Sequence, residues 1–496
     1  MILGKLCLET MRLEDITKLI QPILVRGPVN VDIEGIAYDS RQVRPNYLFV
    51  AVKGGHLNGE DYIEDAIRRG AVAVVSEKDA WPKRSVAHIH VENARLALAE
   101  ISSAYYGHPA QHLELFGITG TNGKTTTSFM LRAILDKAER HSGLIGTVRY
   151  EVGARIIPAT RTTPEAPDIH FMFDQMLRAH CDCAVMEVSS HALDQQRVWG
   201  IPFDVGIFTN LTRDHLDYHG TMENYFNAKS QLFRNLGQLG KSSAAVINID
   251  DPWGIRMTNI NGLAADLVTY GEHPNAVVQP SEITLRPDGS RFVVQSPWGR
   301  IAIELNLPGR HNISNALAAF AAAAARGVSL EAIAAGLRTM EQVPGRLQQF
   351  TSRKGVHIFV DYAHTDDALR RALQTIREFS PGQVTVVFGC GGNRDTSKRP
   401  LMGAVAAQLA DYCILTNDNP RLEDPLAIIG QIEQGIPRGT KYEIQPDREF
   451  AIAAALARAK PGDSVLIAGK GHETYQEFAN AVTPFDDCQV VRKYLD

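Results

Sequence analysis

The run Gly117-Ile118-Thr119-Gly120-Thr121-Asn122-Gly123-Lys124-Thr125-Thr126-Thr127 sets glycines, a lysine and hydroxyls where a strand gives way to a helix. Glycine lets the backbone aim its N–H groups at one point, a concavity suited to phosphate oxygens. The helix start adds partial positive charge. There Lys124 can reach the β- and γ-phosphates of a nucleotide, and the Thr125 hydroxyl can ligate Mg²⁺. The strict pattern asks for glycine where Ile118 stands, and the glycine comes one residue earlier, at Gly117. An ordinary glycine-rich turn is the alternative. The flanking strand and helix favour the phosphate loop.

Further segments carry chemistry downstream. Met186-Glu187-Val188-Ser189-Ser190-His191 puts a carboxylate at a strand end, where it could meet a hard cation or cap a helix. Thr209 to Gly220 is dense in Arg, Asp and His. Lys229 is the one lysine of an amphipathic helical stretch, and by pattern alone a surface residue. Asn312 opens an alanine-rich helix and could be its N-cap. Three more segments follow strands: Phe388 to Pro400, with three glycines and three cations; Asp418-Asn419-Pro420-Arg421; and Gly469-Lys470-Gly471-His472-Glu473. Each could be a turn, and together they suggest one shared pocket.

The elements that must position these residues read as α/β. Strands are expected at Tyr47–Val52 and Ala71–Val75, with a helix at Ala94–Tyr106. Strands Leu113–Ile118, Ala184–Glu187, Val205–Thr209 and Ala245–Ile249 alternate with helices such as Thr125–Lys137. Helices from Asn315 and at Leu330–Met340 follow, then strands His357–Val360, Val384–Phe388, Tyr412–Thr416 and Ser464–Ala468 and a helix Asp447–Ala459. Such alternation implies parallel sheets that bind ligands beyond the carboxyl ends of their strands.

A chain of 496 residues exceeds one core and suggests about three domains. The breaks Tyr106-Gly107-His108-Pro109 and Val343-Pro344-Gly345 divide it into 1–107, 108–344 and 345–496. A net charge of −5 argues against a nucleic-acid binder. The N-terminus lacks a secretory pattern, and the most apolar stretch, Asn315 to Arg326, falls short of a membrane span, so cytoplasm without membrane insertion is expected. Of the cysteines at 7, 181, 183, 390, 413 and 488, only Cys181 and Cys183 are close. Their spacing suggests one face of a strand, with reduced, buried thiols.

The Thr-Gly-Thr-Asn-Gly-Lys-Thr-Thr loop resembles that of the Mur ligases and their folylpolyglutamate synthase relatives. The resemblance runs along essentially the whole chain. It implies a central phosphate-loop ATPase domain between a UDP-sugar-binding N-terminal domain and a Rossmann-like C-terminal domain. It implies an ATP-dependent amide ligase acting through an acyl phosphate, with domain closure over the substrates, ATP as co-substrate, two Mg²⁺ ions and a monomeric chain.

Residue by residue, the resemblance gives Lys124, Glu187, His215 and Lys229 catalytic roles. Thr125, Glu187, His215 and Lys229 (as a carbamate) would hold Mg²⁺. ATP would meet Gly120, Thr121, Asn122, Gly123, Lys124, Thr125, Thr126, Asn312, Asn315, Arg346 and Asp361. A UDP-MurNAc-L-Ala-D-Glu substrate would meet Ser40, Thr162, Thr163, Ser189, Gln195 and Arg197. The Asp-Asn-Pro-Arg run is similar to that of members adding meso-diaminopimelate, which would meet Arg394, Asp418, Asn419, Pro420, Arg421, Gly469 and Glu473. Its distal carboxylate, absent from lysine, suits a bidentate guanidinium. The chain departs from the usual pattern at Arg161, where asparagine is commoner, and at Asp366, where proline is usual. The nearest rival is the lysine-adding variant, against which Arg421 argues; the others are a folylpolyglutamate-type ligase, which would lack the Asp418–Arg421 run, and an inactive nucleotide-binding scaffold, which would lack one of the four catalytic side chains.

Overall fold

The computed structural model describes residues 10–54, 57–79, 85–238, 240–286, 288–340 and 342–495. Cys7 lies outside them. The chain is α/β and forms three main sheets.

The central sheet has eight strands. In spatial order they are Arg155–Pro158, Arg149–Val152, Ser142–Ile145, Cys183–Glu187, Glu114–Thr119, Val205–Phe208, Ala244–Asn248 and Asp266–Tyr270. The six from Ser142–Ile145 onward are parallel, and the first two form an antiparallel edge. Apolar clusters cover both faces, as a buried parallel sheet requires. Strand Glu114–Thr119 lies in the middle, so the loop after it leaves at the centre of the carboxyl edge. Helix Lys124–Lys137 then packs with helices Arg310–Ala324 and Leu330–Thr339 in one cluster.

The C-terminal sheet runs Gln348–Thr351, His357–Asp361, Ser464–Ala468, Val384–Phe388, Tyr412–Leu415 and Tyr442–Ile444, parallel except for the first strand. The late strand Ser464–Ala468 is inserted between two earlier ones. The N-terminal sheet runs Leu24–Arg26, Ala87–His90, Ala71–Ser76, Tyr47–Val50 and Gly35–Ala37.

Sequence reading missed the antiparallel sheet Gln279–Arg286, Gly289–Ser296 and Gly299–Leu305. Two local expectations are corrected. Cys181 precedes its strand and packs on the opposite side of the sheet from Cys183, because the strand begins only at Cys183. Asn312 is not an N-cap: the helix begins at Arg310 with Gly309 at the cap, and Asn312 Nδ2 reaches back to the Pro308 carbonyl at 2.8 Å. Cysteines 181, 183, 390, 413 and 488 are buried free thiols. Among the described residues no helix is long and apolar enough to cross a membrane.

Candidate active site

The loop between Thr119 and Lys124 depends on two glycines with positive φ, +148° at Gly120 and +88° at Gly123. A Cβ on Gly120 would stand 1.9 Å from Thr209 Oγ1, and one on Gly123 would stand 2.3 Å from Asn315 Oδ1. Only glycine fits either place. The loop is pinned from outside: Thr121 N–H donates to the Asn210 carbonyl at 2.9 Å and Asn122 N–H to Asn210 Oδ1 at 3.0 Å.

Lys124 Nζ donates to the carbonyls of Gly120 and Thr121, both at 2.9 Å. Burial pulls its pKa below the ordinary lysine range. Thr125 Oγ1 donates to Glu187 Oε2 at 3.0 Å. Glu187 is fully buried and accepts also from Thr147 N at 2.9 Å and Thr147 Oγ1 at 2.9 Å. Thr147 was not singled out from the sequence, where a lone threonine carries no signal.

Among the described residues no three His, Cys, Asp or Glu side chains form a ready cation cluster. A buried carboxylate beside a hydroxyl and a phosphate loop still fits Mg²⁺, which keeps several waters and binds through one or two carboxylates plus phosphate oxygens.

Beside this pair lie Lys229 and His215. Lys229 is 1 % exposed, so pattern alone misplaced it at the surface. Its Nζ donates to the Gly120 carbonyl at 2.9 Å and lies 4.6 Å from the Tyr225 ring centroid. Burial, then the charge of Lys124, holds its pKa well below the ordinary lysine range. His215 sits in the left-handed region, and its ring packs edge-on to His191 at 4.8 Å and to Tyr225 at 6.1 Å. Burial pulls it down to about 3. His215 and Lys229 thus flank one tyrosine.

A cavity of about 570 Å³ opens next to the loop, lined among others by Asn122, Gly123, Thr126, Asn312, Asn315, Arg346 and Asp361. Arg346 reaches from the C-terminal segment to Thr125 Oγ1 at 3.3 Å. Asp361 accepts from Leu347 N at 2.6 Å and Ala363 N at 2.8 Å. Its carboxyl is raised by burial against the opposing charge of Arg346. Asp367, also unforeseen, ties the two sheets together: its Oδ2 accepts from Thr212 Oγ1 at 2.8 Å, Arg371 Nε at 3.0 Å and Asn122 Nδ2 at 3.1 Å.

A second network continues from Glu187. Thr163 Oγ1 donates to the Glu187 carbonyl at 2.8 Å and accepts from Ser189 N at 3.0 Å. Thr162 Oγ1 lies 3.1 Å from Thr147 Oγ1. Arg197 holds the Thr163 carbonyl at 2.8 Å and Gln195 Oε1 at 2.5 Å. Glu165 gathers Arg95, Arg161 and Arg197 at 3.3, 2.7 and 3.1 Å, joining the N-terminal and central sheets. Ser40 is buried in a 3₁₀ turn of the N-terminal sheet region. Among the described residues no side-chain hydrogen bond joins Ser40 to the network around Glu187.

The third group lies at the C-terminal sheet. Arg421, with φ +54°, donates from Nε to Glu477 Oε2 at 2.8 Å and from Nη1 to the Gly392 carbonyl at 2.9 Å. Lys470 Nζ donates to Asn419 Oδ1 and Glu473 Oε2, each at 3.0 Å, and Asn419 Nδ2 meets Glu473 Oε2 at 2.9 Å. Gly469 passes so close to Asp418 that a Cβ would lie 2.4 Å from Asp418 Oδ2. Pro420 packs its carbonyl over Gly392, and Arg394 and Arg421 flank Gly391. All seven residues expected here gather in one place. Sequence reading put Lys470 in the shared pocket without a role of its own and missed Glu477.

Comparison with known proteins places this geometry. Residues 118–323 match the Mur ligase middle domain, 345–471 the Mur ligase glutamate ligase domain, and 32–106 the Mur ligase family catalytic domain. The UDP-N-acetylmuramoyl-L-alanyl-D-glutamate–2,6-diaminopimelate ligase of Caldanaerobacter subterraneus subsp. tengcongensis is 43% identical, over 98% of this chain and 99% of its own. A solved structure of a ligase with that name is 33% identical with a TM-score of 0.70, covering 98% of this chain and 99% of its own. Folylpolyglutamate synthase of Mycobacterium tuberculosis, solved with ADP and AMPPCP, shares the fold at 20% identity and a TM-score of 0.63 over 76% of this chain and 93% of its own. With its phosphate loop, buried carboxylate and three sheets in this order, the chain belongs to the Mur ligase family.

Proposed function

We propose that this chain joins meso-2,6-diaminopimelate to the D-glutamate γ-carboxylate of UDP-N-acetylmuramoyl-L-alanyl-D-glutamate, at the expense of ATP, in peptidoglycan precursor synthesis. The observation that carries the reading is Arg421, held at the rim of the C-terminal cluster by Glu477 and the Gly392 carbonyl. A guanidinium fixed there can grip a distal carboxylate, which lysine lacks. In this reading Arg394, Asp418, Asn419, Pro420, Gly469 and Glu473 complete the amino-acid pocket, and Glu473 takes the distal ammonium.

The phosphate loop holds ATP with its γ-phosphoryl group toward the glutamate carboxylate. Asn312, Asn315, Arg346 and Asp361 line the nucleoside side. Thr162, Thr163, Ser189, Gln195 and Arg197 orient the dipeptide, and Ser40 the uridine diphosphate end. Phosphoryl transfer gives an acyl phosphate. The amine of diaminopimelate attacks it, and the tetrahedral intermediate collapses to amide and phosphate. Lys124 neutralises charge that develops on the transferred group. Thr125 and Glu187 would hold one Mg²⁺, and His215 and Lys229, as a carbamate, would hold a second. Bound there, the ions supply charge stabilisation at the phosphoryl oxygens. The reading also carries domains 1–107, 108–344 and 345–496, and a monomeric enzyme in the cytoplasm.

The test is phosphate release from ATP and the UDP-linked dipeptide, with meso-diaminopimelate or L-lysine as acceptor. Stimulation by diaminopimelate alone supports the reading. Equal use of lysine overturns the specificity, and release with neither acceptor overturns the activity.

A further inference from the structure

Arg448 and Asp487 form an ion pair in which both side chains are fully buried. Arg448 Nε donates to Asp487 Oδ1 and Nη2 to Asp487 Oδ2, both at 2.8 Å. The pair is bidentate, the strongest arrangement for these groups. Burying two charges is expensive, so such a pair is weak evidence for stability alone.

The remaining donors go elsewhere. Nη1 donates to the Asn417 carbonyl at 3.2 Å and Nη2 to the Ala468 carbonyl at 3.0 Å. Asn417 immediately precedes Asp418-Asn419-Pro420-Arg421, and Ala468 immediately precedes Gly469-Lys470. One guanidinium thus holds the roots of both loops that close the C-terminal pocket. These loops leave strands that are not neighbours, since Val384–Phe388 lies between them. No ladder hydrogen bond can set their spacing directly. Beyond the roots, Asn419 touches Lys470 and Glu473 at 3.0 and 2.9 Å, contacts that demand correct spacing.

We propose that Arg448, oriented by Asp487, is a positioning residue for amino-acid selection: it sets the separation between Arg421 and Glu473 and never touches the substrate. This rests on the ligase reading above. Asp487 fixes the plane of the guanidinium, so that its two outer edges meet the two carbonyls. A lysine could offer donors but not this planar fork.

The test uses the full-length chain. The double variant Arg448→Met/Asp487→Leu replaces the pair by apolar groups of similar volume, a change that leaves folding intact in other buried pairs. Phosphate release is measured with each of the three substrates varied in turn. We expect the KM for meso-diaminopimelate to rise about 10-fold or more, because a displacement of about 1 Å is costly in an oriented site. The KM values for ATP and the UDP-linked dipeptide stay within about twofold. Arg448→Lys recovers part of the loss. Hydrogen exchange at 418–421 and 469–473 quickens in the double variant, while exchange in the central sheet does not.

An unchanged diaminopimelate KM and unchanged exchange in a folded double variant overturn the proposal. So does an equal rise in all three KM values, which marks general loosening. Were the wild-type chain to use neither amino acid, the ligase reading would fail, and exchange at the two loops would still decide whether Arg448 spaces them.

Discussion

Lys124 and Lys229 donate to the same acceptor, the Gly120 carbonyl, each at 2.9 Å. Burial draws both amines toward the neutral form, and the charge of Lys124 adds to the effect at Lys229. A neutral buried amine is nucleophilic toward CO₂, and carbamate formation at Lys229 would turn repulsion by Lys124 into attraction. The expected outcome for Lys229→Met is a fall in kcat of about 10³ with ADP affinity little changed. A carbamate resonance in ¹³C spectra of protein equilibrated with labelled bicarbonate should appear for the wild type and vanish in the variant. Its absence from the wild type sinks the carbamate.

Glu187 is a buried carboxylate held by the hydroxyls of Thr125 and Thr147 and the Thr147 amide. Glu187→Gln keeps the shape and removes the charge. ATP binding without Mg²⁺ should match the wild type, while the strengthening brought by Mg²⁺ should drop about 10-fold or more. Calorimetry with and without the ion distinguishes this from simple misfolding.

For Arg421→Ala, kcat/KM for meso-diaminopimelate should fall by about 10³ to 10⁴, the size expected when a site built for a polar group loses its partner. Release with lysine should change far less. A parallel fall for both acceptors would place Arg421 in the scaffold rather than in selection.

Asp367 ties Asn122 and Thr212 of the central sheet to the helix Asp366–Phe379. Its neighbour Asp366, where the family usually has proline, makes none of these bonds. Asp367→Ala should raise the KM for ATP about 10-fold. Asp366→Pro should leave it unchanged.

His170 is 1 % exposed, and among the described residues neither ring nitrogen has a hydrogen-bond partner. Burial pulls its pKa to about 3. The folded state therefore takes up its proton later than the unfolded chain, whose histidine titrates near 6.5. The associated stability is whole above about pH 6.5 and is lost as pH falls toward 3, about 2 kcal/mol of it by pH 5. His170→Leu should flatten the fall in Tm between pH 7 and pH 5. A variant with the same slope as the wild type refutes the assignment.

The strands were legible because parallel, doubly covered sheets are written as short apolar runs between breakers. Val384–Phe388 and Ser464–Ala468 stand as expected, and Val205–Phe208 ends one residue sooner. The sheet from Gln279 to Leu305 escaped because its antiparallel strands alternate apolar and polar residues, as in Glu282-Ile283-Thr284-Leu285-Arg286, and lack the continuous apolar runs of a doubly covered sheet. The phosphate loop was legible because its neighbours in space are its neighbours in sequence. Thr147, forty residues from Glu187, and Asp487, thirty-nine from Arg448, were not. Such partners meet only once the topology is known. Lys229 shows the opposite limit: helical periodicity sends one lysine to solvent, and only the packing against Tyr225 and Gly120 puts it inside.

The insertion of Ser464–Ala468 between His357–Asp361 and Val384–Phe388 has a bearing on engineering. It threads a late piece of chain through the middle of an early sheet, so the acceptor pocket proposed above would draw on segments some eighty residues apart, from Gly391 to Glu473. Acceptor choice is therefore not a cassette. Grafting Asp418–Arg421 alone into a lysine-adding relative would bring the guanidinium without the opposite wall. A transferable unit has to run from Phe388 through Asp487, most of a domain, which makes a change of acceptor a matter of recombination more than of point substitution.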